Sequence, residues 1–454
     1  MAMAAITTSL FDLFKVGPGP SSSHTIGPMK AARDFRLRLA ELDPEVLVVA
    51  DRLEIHLYGS LSATGKGHGT DRAVVAGLLG WLPETCEPEV FSMLLQEENL
   101  AYPIVIGEKA LNVSAESIHF ERGHHYFPFS NTLILKLMHG TQTLFEQEYY
   151  SVGGGFIQRK GEEAAIHQDP PFPYDSMQTL KAQMQNHGLS LKELILRNEE
   201  ALSGLSRPEI EERIDHILQA MHKAVQRGLK ATGTLPGFIQ LKRKAREVHK
   251  NAKALQKSPD SFLIFLNAYC LAASEENAAG SVVVTAPTSG ASGVIPGLTY
   301  LLRNQYSKKR LREGMLAAAA IGFLVKHNAS ISGAEMGCMG EIGTASAMGA
   351  ALLCACAGHS IEVIEVAAEI AIEHHLGMTC DPIGGYVQIP CIERNAMGAV
   401  KAYNAYLLAS SGNHADQKIS LDKVINVMRA TGRDMSKKYK ETSEAGLALS
   451  ATEC

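Results

Sequence analysis

Four segments of the chain concentrate residues able to do chemistry. Gly17-Pro-Gly-Pro-Ser-Ser-Ser-His-Thr-Ile-Gly27 sets the hydroxyls of Ser21, Ser22, Ser23 and Thr25 beside the imidazole of His24 on a glycine-loosened backbone. Such a loop can aim N–H groups and hydroxyls at an anion, a carboxylate included. Composition alone leaves it equally readable as a Ser/Pro-rich connector. In Tyr58-Gly-Ser-Leu-Ser-Ala-Thr-Gly-Lys-Gly-His-Gly-Thr-Asp71, His68 lies between Gly67 and Gly69 with Lys66 and Asp71 close by. That setting is poor for a core residue, and an imidazole that titrates near neutrality makes His68 a candidate acid or base.

The third segment runs from Glu276 to Pro296, where the apolar run Val282–Val284 leads into Thr285-Ala-Pro-Thr-Ser-Gly-Ala-Ser-Gly293. Thr288, Ser289 and Gly290 there could cradle a carboxylate or phosphate. The Lys-Ser/Thr ending of a P-loop and the glycine spacing of a dinucleotide fingerprint are both missing. Pyridoxal phosphate would need a Schiff-base lysine, and neither Lys326 nor any other lysine sits in a context that marks one.

The fourth group is made of cysteines. Eight are present, at 86, 270, 338, 354, 356, 380, 391 and 454, too sparse for a disulfide scaffold in a chain of 454 residues. Cys338, Cys380 and Cys391 lie in Gly/Pro-rich segments at expected helix ends, where exposed N–H groups lower a thiolate's pKa. Zinc takes closely spaced ligand pairs, and no C-x-x-C occurs. Three widely spaced thiolates suit an iron-sulfur cluster with one iron short of a strong protein ligand, an arrangement for Lewis-acid chemistry. Spacing alone leaves three unrelated buried cysteines the simpler reading. Cys270, Cys354 and Cys356 read as core, and Cys86 carries no assignment.

The elements that must position these residues fall into two textures. From about residue 52 to 156 the period is two: Leu53, Ile55 and Leu57 alternate with Glu54, His56 and Tyr58. The runs 132–138 and 143–150 predict two strands with a turn at His139-Gly140. Connections this short imply an α+β domain with an antiparallel sheet. Residues 158–174 are charged and then Pro-rich, as an interdomain linker would be, placing the boundary near residue 170. Beyond it the period is helical. Ser206-Arg-Pro-Glu209 is a capping box, and helices are predicted over 260–276, 310–326, 344–358, 361–376, 393–410 and 421–431. The expected layout is an N-terminal α+β domain over 1–170 and a mostly α-helical catalytic domain over 171–454.

Hydrophobic residues make up 46% and charged residues 20% of the chain, which fits neither a disordered nor a membrane protein. Forty-three Lys and Arg against forty-eight Asp and Glu give a net charge of −5, without the basic excess of a nucleic-acid surface. Residues 1–10 lack a targeting pattern, so a cytoplasmic location is expected. The uncharged run 342–359 is rich in Ala, Gly and Ser and predicts a closely packed helix inside a bundle rather than a membrane span.

Five segments in order, GPGPSSSHTIGPM (17–29), YGSLSATGKGHGTD (58–71), ENAAGSVVVTAPTSGASGVIP (276–296), NASISGAEMGCMGEIGTASAMGAA (328–351) and TCDPIGGYVQIPCIERNAMGAVKA (379–402), resemble the bacterial iron-sulfur L-serine dehydratases in their single-chain form. The resemblance runs from about residue 9 to the end. It implies a [4Fe-4S] cluster held by Cys338, Cys380 and Cys391, an N-terminal domain of the allosteric-substrate-binding type, and a homodimer. Some members end in a cysteine that occupies the fourth iron when substrate is absent, and this chain ends Ala451-Thr-Glu-Cys454. Tyr126-Phe-Pro-Phe-Ser-Asn131 departs from the family's His-Pro-Asn core and leaves Asn131, with His124 or His125, as the available residues.

The resemblance implies dehydration of L-serine to pyruvate and ammonia. His68 is the first choice for the base, with His24 and Lys66 beside it. Ser21, Ser22, Ser23, Asn131 and the Thr288-Ser289-Gly290 loop are expected to hold the substrate. N-terminal motifs and C-terminal cysteines must then meet. The rival readings are a non-catalytic iron-sulfur redox or oxygen sensor and a pyridoxal-phosphate dehydratase.

Overall fold

The computed structural model describes residues 5–97, 100–123, 125–162, 169–255 and 258–450. Its N-terminal part is built on a five-stranded sheet in the order β5-β2-β6-β7-β8, with β2 Arg52–Leu57, β5 Ile118–Phe120, β6 Thr132–His139, β7 Gln142–Ser151 and β8 Ile157–Arg159. The period-two pattern of β2 sends Leu53, Ile55 and Leu57 into the core, where they meet Leu133, Leu135, Leu137 and Tyr149. The helices Gly27–Leu39 and Thr70–Leu78 cover that face. The β6–β7 turn falls at Gly140, whose φ of +53° suits glycine. One pairing departs from the expected antiparallel sheet: β5 runs parallel to β2. The intervening chain is long enough to return because it carries helices and the separate hairpin β3 Tyr102–Ile106 with β4 Lys109–Val113.

The C-terminal part is helical. Ser206 and Glu209 form the expected capping box at the start of the helix Arg207–Gly228. At the centre, Thr344–Ala357 is packed against Lys308–Asn328, Ile361–Glu373 and Cys391–Ser411. The apolar stretch Met339–Ala357 has the length and composition to cross a membrane, yet 89% of it is buried within the fold. Small residues allow that close approach. A Cβ on Gly349 would lie 2.6 Å from Leu298 Cδ1, and one on Gly398 would lie 2.8 Å from Ile342 Cγ2.

The chain ahead of the sheet packs elsewhere than a division at residue 170 implies. Ile6, Leu10, Leu13 and Phe14 are buried in the helical part's core, because the short helix Leu10–Leu13 turns its apolar side that way. Strand β1, Val16–Pro18, then pairs antiparallel with β9, Val282–Val284, some 260 residues later in the chain. This pair joins the two parts and positions the site.

Candidate active site

The β1–β9 pair is continued on both sides by specific bonds. Lys15 N–H donates to Thr285 Oγ1 at 2.9 Å, and Thr285 N–H donates to Lys15 O at 2.9 Å. Gly19 N–H donates to Ser281 O at 3.0 Å, and Asn277 Nδ2 donates to Pro20 O at 2.8 Å. The approach at Gly19 excludes any side chain, since a Cβ there would lie 2.1 Å from Asn277 O. The chain leaves β1 through a π-helical turn, Ser22–Ile26, which carries Ser22 and His24 inward. Ser289 N–H then donates to Ser22 Oγ at 3.3 Å. The serine loop and the Thr288-Ser289-Gly290 loop thus form one wall.

His24 and His68 are fully buried in that wall. Thr64 donates its single hydroxyl hydrogen to Ser60 O at 3.0 Å, so its oxygen accepts from His68 Nδ1 and His24 Nε2, both at 3.1 Å. Ser60 donates to Glu441 O at 2.7 Å and accepts from His24 Nε2 at 3.0 Å. These hydroxyls assign the tautomers. His24 carries its proton on Nε2 and accepts from Ser23 Oγ through Nδ1 at 2.9 Å. His68 carries its proton on Nδ1, which leaves the lone pair on Nε2, a buried atom without a hydrogen-bond partner among the described residues. Burial holds His24 neutral, with its pKa lowered to about 4, and burial with His24 alongside lowers His68 well below its ordinary value.

The opposite wall carries sulfur. Cys338, Cys380 and Cys391 line the same cavity as His68, Ser21, Gly290, Glu341 and Glu441. Cys338 precedes a second π-helical turn, Met339–Gly343, and Cys391 opens the helix Cys391–Ser411. The ligating atoms of Cys338, Glu341 and Cys380 lie within 4.8 Å of one another, and Cys391 stands outside that tight set. Arg394, one turn into its helix, donates to Thr379 O at 2.7 Å and to Asp381 Oδ1 at 3.3 Å, and it hydrogen-bonds Cys338.

Helix-end N–H groups do not make the thiols of Cys380 and Cys391 acidic by themselves. Cys380 is pushed well above its ordinary value by its hydrogen bond to Cys338 and by burial, and Cys391 by burial and Cys338. Burial likewise raises Glu341 and Glu441. Three thiols and two carboxyls facing one guanidinium make a cavity that calls for positive charge. Soft sulfur donors select iron-sulfur groups or soft metals, and three cysteines spread beyond one ion's coordination sphere fit a polynuclear iron-sulfur group.

Ser21, Gly290, His68 and the three cysteines line the cavity. Ser22, Ser23, His24, Thr288 and Ser289 stand behind that lining, with Thr288 donating to Glu341 Oε1 at 2.7 Å. Lys66 does not join them: it is exposed, with Nζ 5.5 Å from the Phe120 ring centroid, because its helical turn points it outward while His68 points inward. Asn131 is buried, with both amide atoms unpartnered among the described residues, but it is not a lining residue. Lys326 stacks over Phe156 and donates to Thr8, and no lysine lines the cavity among the described residues, which removes the support for a Schiff base. His124 and Cys454 lie outside the described residues.

The sequence reading missed Ser60, Thr64, Glu341, Asp381, Arg394 and Glu441. Glu341 had a readable signal, as a lone carboxylate three residues after Cys338 in a Gly/Ala-rich run. Glu441 had none, since Lys437-Lys-Tyr-Lys-Glu441 looks like solvated charge.

Comparison with known proteins agrees with this geometry. Residues 9–162 match the family described as serine dehydratase beta chain, and residues 186–448 match serine dehydratase alpha chain. L-serine dehydratase 2 of Escherichia coli is 40% identical over 457 residues, covering 98% of this chain and 99% of that protein. L-serine dehydratase 1 of the same organism is 42% identical, covering 97% and 98%, and the L-serine dehydratase of Haemophilus influenzae is 40% identical, covering 97% and 98%. With the alpha-chain and beta-chain regions joined by their own strand pair around one cavity, the chain belongs to the serine dehydratase family.

Proposed function

We propose that the chain converts L-serine to pyruvate and ammonia with an iron-sulfur Lewis acid held by Cys338, Cys380 and Cys391. The observation that carries this reading is the convergence of His68 and the three cysteines on one cavity. When bound, the cluster supplies an electrophilic iron that makes the β-hydroxyl a better leaving group. The protein's own residues do the rest. His68 Nε2, held unprotonated by the Thr64 bond to Nδ1, takes the α-proton of serine. The electrons of the C–H bond form the Cα–Cβ double bond as the β-hydroxyl departs with a proton as water. Aminoacrylate tautomerises to the imine, which water hydrolyses to pyruvate and ammonia. Ser21 and the Gly290 loop face the substrate, with Ser22 and Ser289 bracing them from behind.

Cys454 remains the proposed displaceable ligand. Its support is that the segment leading to it is anchored beside Cys380, where Leu447 N–H donates to Asp381 Oδ2 at 2.9 Å. A cytoplasmic homodimer completes the proposal, since an open iron needs reducing surroundings.

The test is an anaerobic assay of the protein with and without reconstituted iron and sulfide. Pyruvate formed from L-serine only in the reconstituted sample supports the reading. A cluster spectrum without pyruvate would favour the sensor, and activity trapped by borohydride would favour pyridoxal phosphate.

A further inference from the structure

Glu441 reaches the cavity on a segment held from both sides. Cys380 N–H donates to Tyr439 O at 2.8 Å, and Glu441 N–H donates to Cys380 O at 2.7 Å. Ser60 Oγ donates to Glu441 O and Ser443 Oγ donates to Pro382 O, both at 2.7 Å. Glu441 itself has a φ of +60°, a left-handed conformation that glycine adopts freely and a glutamate adopts at a cost. A side chain retained at such an angle in a site wall points to a task for that side chain.

The carboxylate has no counter-ion among the described residues. Glu441 is only 5% exposed. Its Oε1 lies 3.6 Å from His24 Nδ1, but that nitrogen already accepts from Ser23 Oγ and offers no proton. Its Oε2 is buried without a hydrogen-bond partner among the described residues. A buried carboxylate oxygen left without a donor is costly, and the cavity it faces is where substrate must bind. Glu341 is less free, since Oε1 accepts Thr288 Oγ1 and Oε2 faces Cys380 Sγ at 3.9 Å.

L-Serine offers two groups rich in lone pairs, its hydroxyl and carboxylate, which suit a Lewis acid and hydroxyl donors. Its third group, the α-ammonium, brings positive charge and three donors, which suit a carboxylate. We propose that Glu441 receives the α-ammonium group of the substrate and so sets the preference for β-hydroxy α-amino acids over β-hydroxy acids that lack the amine. The inference rests on the dehydratase reading above.

The test compares wild type with Glu441→Gln, which keeps the side chain's shape and the main-chain bonds while removing the charge. Two probes that cannot complete the reaction are titrated anaerobically against the cluster spectrum: α-methylserine, which lacks the α-proton, and 3-hydroxypropionate, which lacks the ammonium. The variant is expected to raise KM for L-serine and weaken α-methylserine by roughly 10- to 100-fold, the worth of a charged hydrogen bond. Its affinity for 3-hydroxypropionate should stay as in wild type, which also shows that the variant site is folded.

Parallel losses for both probes, or an unchanged KM, would overturn the proposal. So would an altered resting spectrum in Glu441→Gln, which would make Glu441 a ligand of the cluster. If the variant does not hold iron, wild type still decides, since equal affinity for serine-like and amine-free probes overturns the assignment. Failure of the dehydratase reading looks different: wild type then makes no pyruvate at all.

Discussion

The imidazoles of His24 and His68 lie 4.4 Å apart between ring centroids, and one hydroxyl, Thr64 Oγ1, accepts from both. The shared acceptor fixes opposite tautomers. His24 is spent on structure, bonded at both nitrogens, while His68 keeps one nitrogen for the cavity. Replacing His68 with Ala should therefore lower kcat by roughly 10²- to 10⁴-fold, the usual worth of a positioned base, with the anaerobic cluster spectrum intact. Normal turnover in that variant would remove His68 as the base. His24→Ala should instead lower thermal stability together with activity, because three hydrogen bonds lose their centre.

Arg394 is the guanidinium beside the cysteines, bonded to Thr379 O, Asp381 and Cys338. Arg394→Met should leave the fold assembled but speed loss of iron to a chelator by roughly 10- to 100-fold, as for other residues that support metal ligands. Bleaching of the visible absorption measures this. An unchanged rate would mean that Arg394 serves the Asp381 loop alone.

Gly19 has no room for a methyl group against the backbone of Asn277. Gly19→Ala should destabilise the protein by about 1–3 kcal/mol, the cost of overpacking, and should cut activity as well, since the shift propagates to Ser21–His24. Denaturant melts paired with pyruvate assays would show the two losses. Lost stability with full activity would uncouple the strand pair from the site.

Glu199 gives the pH response a definite sign. It accepts Ser9 Oγ at 2.6 Å and Leu10 N–H at 2.7 Å, and burial pushes its pKa from an ordinary 4.5 to about 7. Between those values the folded protein binds the extra proton, so stability is highest below pH 4.5 for this group and falls as pH rises to 7. Glu199→Gln should remove a decline of up to about 3 kcal/mol. Urea midpoints at pH 5 and pH 8 test it: wild-type and variant profiles that run parallel would refute the assignment.

The alternation at Leu53–Leu57, the 206–209 capping box and the Ala/Gly stretch at 344–357 all report local preferences that tertiary packing reinforced, which is why these elements were legible. The cavity was legible only in part. His68 and the cysteines stand out by residue type, whereas Lys66, grouped with His68 by its nearness in sequence, is sent outward by the helical turn. Glu441 hides in a run of lysines because its burial depends on Ser60 and Cys380, hundreds and tens of residues away. The docking of Ile6, Leu10, Leu13 and Phe14 on the helical part was invisible for the same reason: four apolar residues do not say which core they join.

The β1–β9 pair has a consequence for how the protein matures. One wall of the cavity holds the hydroxyls and imidazoles and the other holds the sulfur, and they come from opposite ends of the chain. A newly made polypeptide therefore cannot own a working centre until its first strand has met a partner synthesised much later. Cys391, the last of the three cysteines that line the cavity, is made later still, so the sulfur wall is finished only after the wall that carries His68. The strand pair is thus the contact that brings both walls to one cavity.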